Sequence, residues 1–84
     1  MEGTSYTEFT FEETYPDGSK HYCGVQWQDI KSCRYMMDIE KKWLKEQLNR
    51  TDTSEDTLKL RQCQLDSIKI VSRTVTISDW MSKD

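Results

Sequence analysis

The chain has 84 residues and a formal net charge of −3, with 35% hydrophobic and 32% charged residues. A chain of this length supports one small domain, because it buries only about 60–65% of the surface that its unfolded form exposes. We therefore predict a single domain over residues 1–84. No apolar run approaches the roughly 20 residues of a membrane span, so we expect no membrane partner.

The acidic balance makes direct nucleic-acid binding an unfavoured prediction, since that binding depends on basic contacts to phosphate. Six basic residues in the middle of the chain keep the alternative open, although their spacing spreads them around a helix: Lys31, Arg34, Lys41, Lys42, Lys45 and Arg50. A solvated helix face is the better interpretation of this pattern.

The number and spacing of the cysteines predict a protein with reduced thiols and no disulfide bonds. Cys23, Cys33 and Cys63 are odd in number and form no CxxC pair, which is unlike a disulfide-stapled secreted domain. Residues 1–10 lack the basic and apolar segments of a secretory signal, so we expect a cytoplasmic location. His21 would complete a set of four zinc ligands, but the spacing lacks the usual paired knuckle. We therefore expect no metal and no cofactor.

An N-terminal hairpin is the clearest local prediction. Residues 7–15 alternate apolar and polar side chains, the turn formers Pro16, Asp17 and Gly18 follow, and residues 20–27 alternate again. A three-residue loop opposes Tyr15 with Ser19. It also sets the remaining pairs, all with matching faces: Glu13 with His21, Phe11 with Cys23, Phe9 with Val25, and Thr7 with Trp27.

The middle of the chain predicts a long amphipathic helix from about residue 29 to residue 49, capped by Asp29 or Ser32. Glu40 and Gln47 interrupt its apolar stripe, which consists of Cys33, Met36, Met37, Trp43, Leu44 and Leu48. Residues 50–57 are predicted to form a polar loop, in which Thr53 also resembles a helix cap. For residues 58–65 the pattern favours a short second helix or an irregular turn.

Residues 67–78 are rich in β-branched side chains and predict a terminal strand. Val71, Val75 and Ile77 share one face while Ile68 and Ile70 share the other. This change of parity predicts either a bulge near residues 71–72 or a strand start covered on both sides. Residues 81–84 are expected to form a frayed tail.

The predicted fold class is therefore α+β, in the order ββα(α)β. The N-terminal β-hairpin and the C-terminal strand form an antiparallel sheet of about three strands, which packs on one long amphipathic helix.

The stretch from Ser67 to Trp80, with Arg73-Thr74-Val75-Thr76 ahead of the Trp, resembles the C-terminal strand of small accessory proteins of tailed bacteriophages. The turn at residues 15–19 and the long helix fit the same layout, so the resemblance covers about two-thirds of the chain. The cysteines and the polar loop are not part of the pattern. The resemblance implies a class of small acidic inhibitors of host enzymes, including anti-CRISPR and anti-restriction proteins, and it assigns no functional residue.

The leading functional prediction is a non-enzymatic inhibitor or adaptor that blocks a host protein. Residues 1–19 contain five acidic and no basic side chains, so the hairpin is predicted to present an acidic face with exposed tyrosines. The host protein is predicted to be a CRISPR or other nucleic-acid-processing protein. The candidate partner-binding residues are Tyr6, Glu8, Glu12, Glu13, Asp17 and Tyr22.

The alternative prediction is a self-assembling module that forms a homodimer through its C-terminal strand. Its candidate contacts are Thr74, Thr76, Ser78 and Trp80. A third class is a small enzyme or metalloprotein, in which His21 beside Glu13 or Cys23 would carry the chemistry. No known catalytic motif surrounds these residues, so an enzyme is not expected.

Overall fold

The computed structural model describes residues 4–77. In chain order these form three strands and two helices: β1 Thr4–Thr14, β2 Lys20–Tyr22, α1 Ile30–Leu48, α2 Glu55–Ser67 and β3 Lys69–Ile77. The sheet is antiparallel with the strand order β2-β1-β3. The α+β class and the ββα(α)β order are therefore confirmed. The predicted contacts Ser78 and Trp80 and the predicted tail at residues 81–84 lie outside the described residues.

The hairpin turn has the predicted register. The Tyr15 amide donates to the Ser19 carbonyl at 2.9 Å, and Glu13 lies opposite His21. The Asp17 carboxylate accepts hydrogen bonds from the amide and the hydroxyl of Ser19. Gly18 has φ of 88°, a left-handed conformation that glycine adopts without steric cost. Turn chemistry alone therefore fixes this end of the sheet.

The hairpin register changes beyond Cys23, and this corrects the prediction. Phe9 pairs with Trp27 through two backbone hydrogen bonds of 2.6 and 2.8 Å, so the predicted pairs Phe9–Val25 and Thr7–Trp27 are wrong. Two extra residues bulge out of the second strand, and Val25 is exposed.

The shift has a packing reason. It places the Trp27 ring on Phe11, with ring centroids 6.1 Å apart and the planes nearly parallel. A tryptophan in the core buries far more apolar surface than the valine that the uniform register would place there. The Thr10 hydroxyl donates to the Val25 carbonyl at 2.9 Å, which satisfies a backbone group of the bulged segment.

The first helix agrees closely with its prediction. Asp29 is the N-cap, because its carboxylate accepts hydrogen bonds from the amides of Lys31 and Ser32 at 3.1 and 3.3 Å. The buried face consists of Cys33, Met37 and Leu44. Two members of the predicted stripe lie at its margin, since Met36 and Trp43 are each 40% exposed.

The second helix is longer than predicted. The Ser54 hydroxyl accepts a hydrogen bond from the Thr57 amide at 3.2 Å, so Ser54 is the cap and Thr53 is not. The helix then starts at Glu55, which shortens the predicted polar loop at residues 50–57. Glu55 and Asp56 suit the first turn because carboxylates interact favourably with the positive end of the helix dipole.

The third strand pairs with β1 in one unbroken register, from Thr4 opposite Ile77 to Glu12 opposite Lys69. The predicted bulge at residues 71–72 is therefore absent from this ladder. The apolar residues change face along β3 because both faces are partly covered at the start of the strand. Ile70 packs against the core, while Val71 is half-buried on the other face.

The core occupies one end of the sheet. Its buried members come from β1, from α1 and from the residue before β3, namely Phe11, Cys33, Met37 and Ile68. At the other end, residues 4–7 pair with residues 74–77, and most of these side chains are exposed. We call these eight residues the ribbon. The radius of gyration is 17.8 Å, against about 12 Å for a compact chain of this length.

Neither helix within residues 4–77 has the length and apolar composition that a membrane crossing requires.

Candidate functional site

The sheet has one face toward the helices and one face away from them. Phe11 and Ile70 pack with Cys33 and Met37 of α1, so these two side chains define the inner face. Because strand side chains alternate, their neighbours point the opposite way. We call that opposite side the outer face. It carries Tyr6, Glu8, Thr10, Glu12, Lys20, Tyr22, Lys69, Val71, Arg73, Val75 and Ile77.

The structure brings four of the six predicted partner-binding residues onto the outer face, namely Tyr6, Glu8, Glu12 and Tyr22. The other two lie elsewhere. Glu13 is on the inner face and buried, and Asp17 is in the turn with its carboxylate engaged by Ser19.

Glu12 is nearly buried between two lysines. Its carboxylate lies 3.4 Å from the Lys20 ammonium and 3.5 Å from that of Lys69. Desolvation works to raise the pKa of Glu12, but the Lys20 charge and hydrogen bonds from Tyr22 and both lysines outweigh it and lower the pKa. Glu12 is therefore held as a paired carboxylate and offers little free charge to a partner.

Glu8 is paired in a similar way. Its carboxylate lies 3.4 Å from the Arg73 guanidinium, directly across the β1–β3 ladder. The outer face is thus a set of ion pairs, whereas the hairpin sequence predicts an acidic surface. The sequence of residues 1–19 cannot indicate these cations, because Lys69 and Arg73 belong to β3 near the other end of the chain.

A groove of 380 Å³ crosses the outer face. Its lining includes the paired Thr10 and Val71, the ion pair of Glu8 with Arg73, and Tyr22, whose side chain is 59% exposed. Gln26 also contributes, because it belongs to the bulged segment between Cys23 and Trp27. The sequence gives no signal for this groove, since it depends on an irregular register.

The inner face contains a buried polar cluster. The Gln64 side-chain amide nitrogen donates to the Glu13 carboxylate at 2.6 Å, and the Arg61 guanidinium donates to the side-chain oxygen Oε1 of Gln64 at 2.9 Å. Desolvation, the neighbouring Glu13 charge and a hydrogen bond with Glu13 raise the pKa of Glu40, against the smaller opposing effect of Arg61. This cluster explains why Glu40 interrupts the apolar stripe of α1.

His21 lies at a second, open cleft of 300 Å³, whose lining includes Glu13, Cys23 and Glu40. Its ring stacks on Tyr15 with centroids 3.7 Å apart, and its Nε2 lies 3.1 Å from the Ser19 hydroxyl. These contacts hold the imidazole at the hairpin tip beside the turn.

The three cysteines are free thiols, and Cys23 packs against the core cluster that contains Cys33. Cys33 is fully buried, and desolvation raises the pKa of its thiol, which disfavours the reactive thiolate. The Cys63 thiol donates to the Thr14 carbonyl at 3.2 Å. Within the described part of the chain no three His, Cys, Asp or Glu side chains are placed to hold a metal ion.

Two of the predicted dimer contacts, Thr74 and Thr76, lie on the ribbon. Their side chains share the inner face with Ser5 and Thr7, and they are exposed because neither α1 nor α2 covers this end. The strand order places β3 at an edge of the sheet, as the alternative prediction requires.

Comparison with known proteins finds no matching family model, no similar curated protein and no similar solved structure.

Proposed function

We propose that this protein is a non-enzymatic inhibitor or adaptor that binds another protein through its outer face. One observation carries the proposal. Among residues 4–77 both helices pack on the inner side of the sheet, so the outer face keeps an open groove of 380 Å³ beside the exposed ring of Tyr22.

The chemistry of this face suits a protein partner. Tyrosine and arginine are among the residue types that most often carry binding energy at protein interfaces, and Tyr22 and Arg73 line the groove. The half-buried Val71 adds an apolar contact between them. Glu8 holds Arg73 in place across the ladder, which lowers the entropy lost when a partner binds.

The ion pairs also limit the kind of surface that a partner is expected to present. The Glu8 and Glu12 carboxylates are already neutralised by cations of the same face, so a strongly basic surface gains little from them. The expected partner inserts an apolar or aromatic side chain into the groove and surrounds it with polar groups. The resemblance to phage accessory proteins supplies the class, namely a host protein such as a CRISPR or other nucleic-acid-processing complex.

The proposal is tested with purified candidate complexes and two matched variants. Tyr22→Ser removes the ring beside the groove of the outer face, while Tyr35→Ser removes a similarly exposed ring from α1. Biolayer interferometry is expected to show binding by the parent and by Tyr35→Ser, with at least tenfold weaker binding by Tyr22→Ser.

Equal binding by both variants would contradict the proposed face, and a parent that binds none of the complexes would contradict the partner class. Circular dichroism of both variants checks that the fold is intact. Glu12 is unsuitable as a probe, because its removal leaves Lys20 and Lys69 without their shared carboxylate.

A further inference from the structure

The free edge of β3 is the least protected part of the sheet. β3 pairs with β1 on one side, and no strand within residues 4–77 borders its other side. At nine residues it is longer than the average strand of about 5–6 residues, and it contains no proline. Long open edges of this kind are templates for pairing with another chain.

The hydrogen bonds of β1 show which backbone groups of β3 are free. Phe9 exchanges backbone hydrogen bonds with Trp27, and the Phe11 carbonyl accepts one from Cys23. The backbone amides and carbonyls of the odd-numbered β1 residues therefore point toward β2. The backbone groups of the even-numbered β1 residues point toward β3, where they form hydrogen bonds with the odd-numbered β3 residues. The backbone amides and carbonyls of the even-numbered β3 residues therefore lie in the plane of the sheet and point away from β1, toward the free edge. The even-numbered residues are Ile70, Ser72, Thr74 and Thr76.

The ribbon adds a second reason for pairing. Within the described residues 4–77, the ribbon has only two strands and is covered by neither α1 nor α2, and an isolated two-stranded ribbon is marginally stable in water. Its outer side exposes Ile77 at 53%. An additional strand beside β3 would extend the ribbon into a wider sheet and bury this apolar surface.

We propose that a second copy of this chain pairs with this edge, β3 against β3 in antiparallel orientation, with Thr74 on the two-fold axis. A two-fold axis brings the same residues together from both copies. An axis at residue 73 would oppose two Arg73 guanidinium groups, and like charges directly opposite destabilise a strand pair.

The register centred on Thr74 avoids this repulsion. It places Val71 opposite Ile77 of the second copy, and Arg73 opposite Val75 of the second copy, both on the outer face. On the inner face it opposes Ser72 with Thr76 of the second copy, a hydroxyl pair of the type that stabilises adjacent strands. The free backbone groups of Ser72, Thr74 and Thr76 all find partners in this arrangement.

The arrangement also separates the two helical layers along the strand direction. The core and both helices lie at the Lys69 end of β3, whereas the pairing uses residues 71–77. Antiparallel pairing therefore puts the two helical layers at opposite ends of one continuous six-stranded sheet. The two outer faces lie side by side, so the dimer is compatible with the proposed function but does not depend on it.

The oligomeric state of the protein in solution tests whether two copies pair through the free edge of β3. Sedimentation equilibrium of the full chain at micromolar to several hundred micromolar concentration is expected to give twice the monomer mass of 10.0 kDa. Thr74→Pro removes an amide from the free edge, where a proline is tolerated in the monomer, and is expected to raise the dimer dissociation constant at least tenfold.

Thr7→Pro is the matched control. Thr7 lies directly opposite Thr74, and its amide points to the other edge of the same ribbon. This variant is expected to dimerise as the parent does. A monomeric parent at the highest concentration overturns the proposal, as does equal dimerisation by both proline variants.

The register has its own test. With Thr74 on the axis, Val75→Glu creates two ion pairs with Arg73 of the opposite copy, while Val75→Lys creates two repulsions. The glutamate variant is therefore expected to dimerise more tightly than the lysine variant, with the difference reduced by salt. With the axis at residue 73, position 75 faces Val71 of the second copy instead, and equal weakening by both variants would exclude the proposed register.

Discussion

The two ends of the β1–β3 ladder are built by the same strands in one register, yet they have opposite environments. At the helical end Phe11 is buried together with Cys33, Met37 and Ile68. At the ribbon end Ile77 is 53% exposed and Thr76 is exposed beside it. Backbone pairing is therefore continuous along the ladder, whereas apolar burial is confined to the part under the helices.

This difference separates folding from binding. Hydrophobic burial is the main favourable contribution to stability, so the helical end holds the fold together. The ribbon contributes little apolar burial to the monomer and leaves its surface available to other chains. Substitutions with similar chemistry are therefore expected to have different effects at the two ends.

The largest contrast is expected between Leu44 and Ile77. Leu44 is fully buried at the helical end, so Leu44→Ala is expected to lower the free energy of unfolding by about 2–5 kcal/mol. Ile77→Ala is expected to lower it by less than about 0.5 kcal/mol, because the side chain is half exposed. Urea denaturation at low micromolar concentration measures both values, and equal losses would contradict the comparison.

Ser67 joins α2 to β1 at the helical end. Its hydroxyl accepts a hydrogen bond from the Thr14 amide at 2.7 Å and lies within 2.7 Å of the Cys63 carbonyl. Ser67→Ala leaves a half-buried amide without its partner, so we expect a loss of about 1–3 kcal/mol. Ser72→Ala, at an exposed serine of β3, is the control and should melt as the parent does at a low concentration at which the chain is monomeric. A parent-like melting temperature for Ser67→Ala would show that water replaces the hydroxyl.

Glu40, which lies beside Glu13, is expected to make the stability of the helical end depend on pH. Because the pKa of Glu40 is raised in the folded state, its protonated form stabilises the fold. That contribution is complete below the pKa of the unfolded chain and is lost as pH rises through the folded pKa.

Glu40→Gln is therefore expected to melt at a higher temperature than the parent at pH 7, with the difference shrinking toward pH 4. Thermal melts across this range measure the effect, and Glu46→Gln, at an exposed position of α1, is the matched control. A Glu40→Gln variant that is less stable than the parent at pH 7 would mean that the Arg61 charge dominates this site.

The smallest effect is expected next to the ribbon. The Glu8 and Arg73 side chains form a surface ion pair, and a double-mutant cycle with both alanine variants is expected to give a coupling of about 0.2–1 kcal/mol. The coupling should fall as salt rises from low concentration to 1 M. A coupling that does not respond to salt would indicate that packing rather than charge joins the two side chains.

The predictions that succeeded rest on local signals. The turn at residues 15–19 is specified by Asp17 and Gly18, and the bounds of α1 follow from the cap at Asp29 and the spacing of its apolar residues. These features depend on contacts between residues close together in the chain, so a pattern in the sequence can identify them.

The candidate site was harder to predict. The four residues Tyr6, Glu8, Glu12 and Tyr22 do share a face, because strand alternation assigns faces. Their electrostatic character was not predictable, since the neutralising Lys69 and Arg73 belong to a strand at the other end of the chain. Glu13 has the parity of Phe11, so alternation places it on the inner face, while its partner Gln64 comes from α2, whose limits the sequence left open.

The sequence by itself determined the α+β class, the order of the elements and the start of the hairpin, because capping, turn geometry and hydrophobic period act over a few residues. The tertiary structure decided the bulge before Trp27, the pairing of half-buried Glu40 with buried Glu13, and the groove of the outer face. Each of these depends on which distant side chains compete for the same buried volume, and that competition is resolved only when the strands and helices pack together.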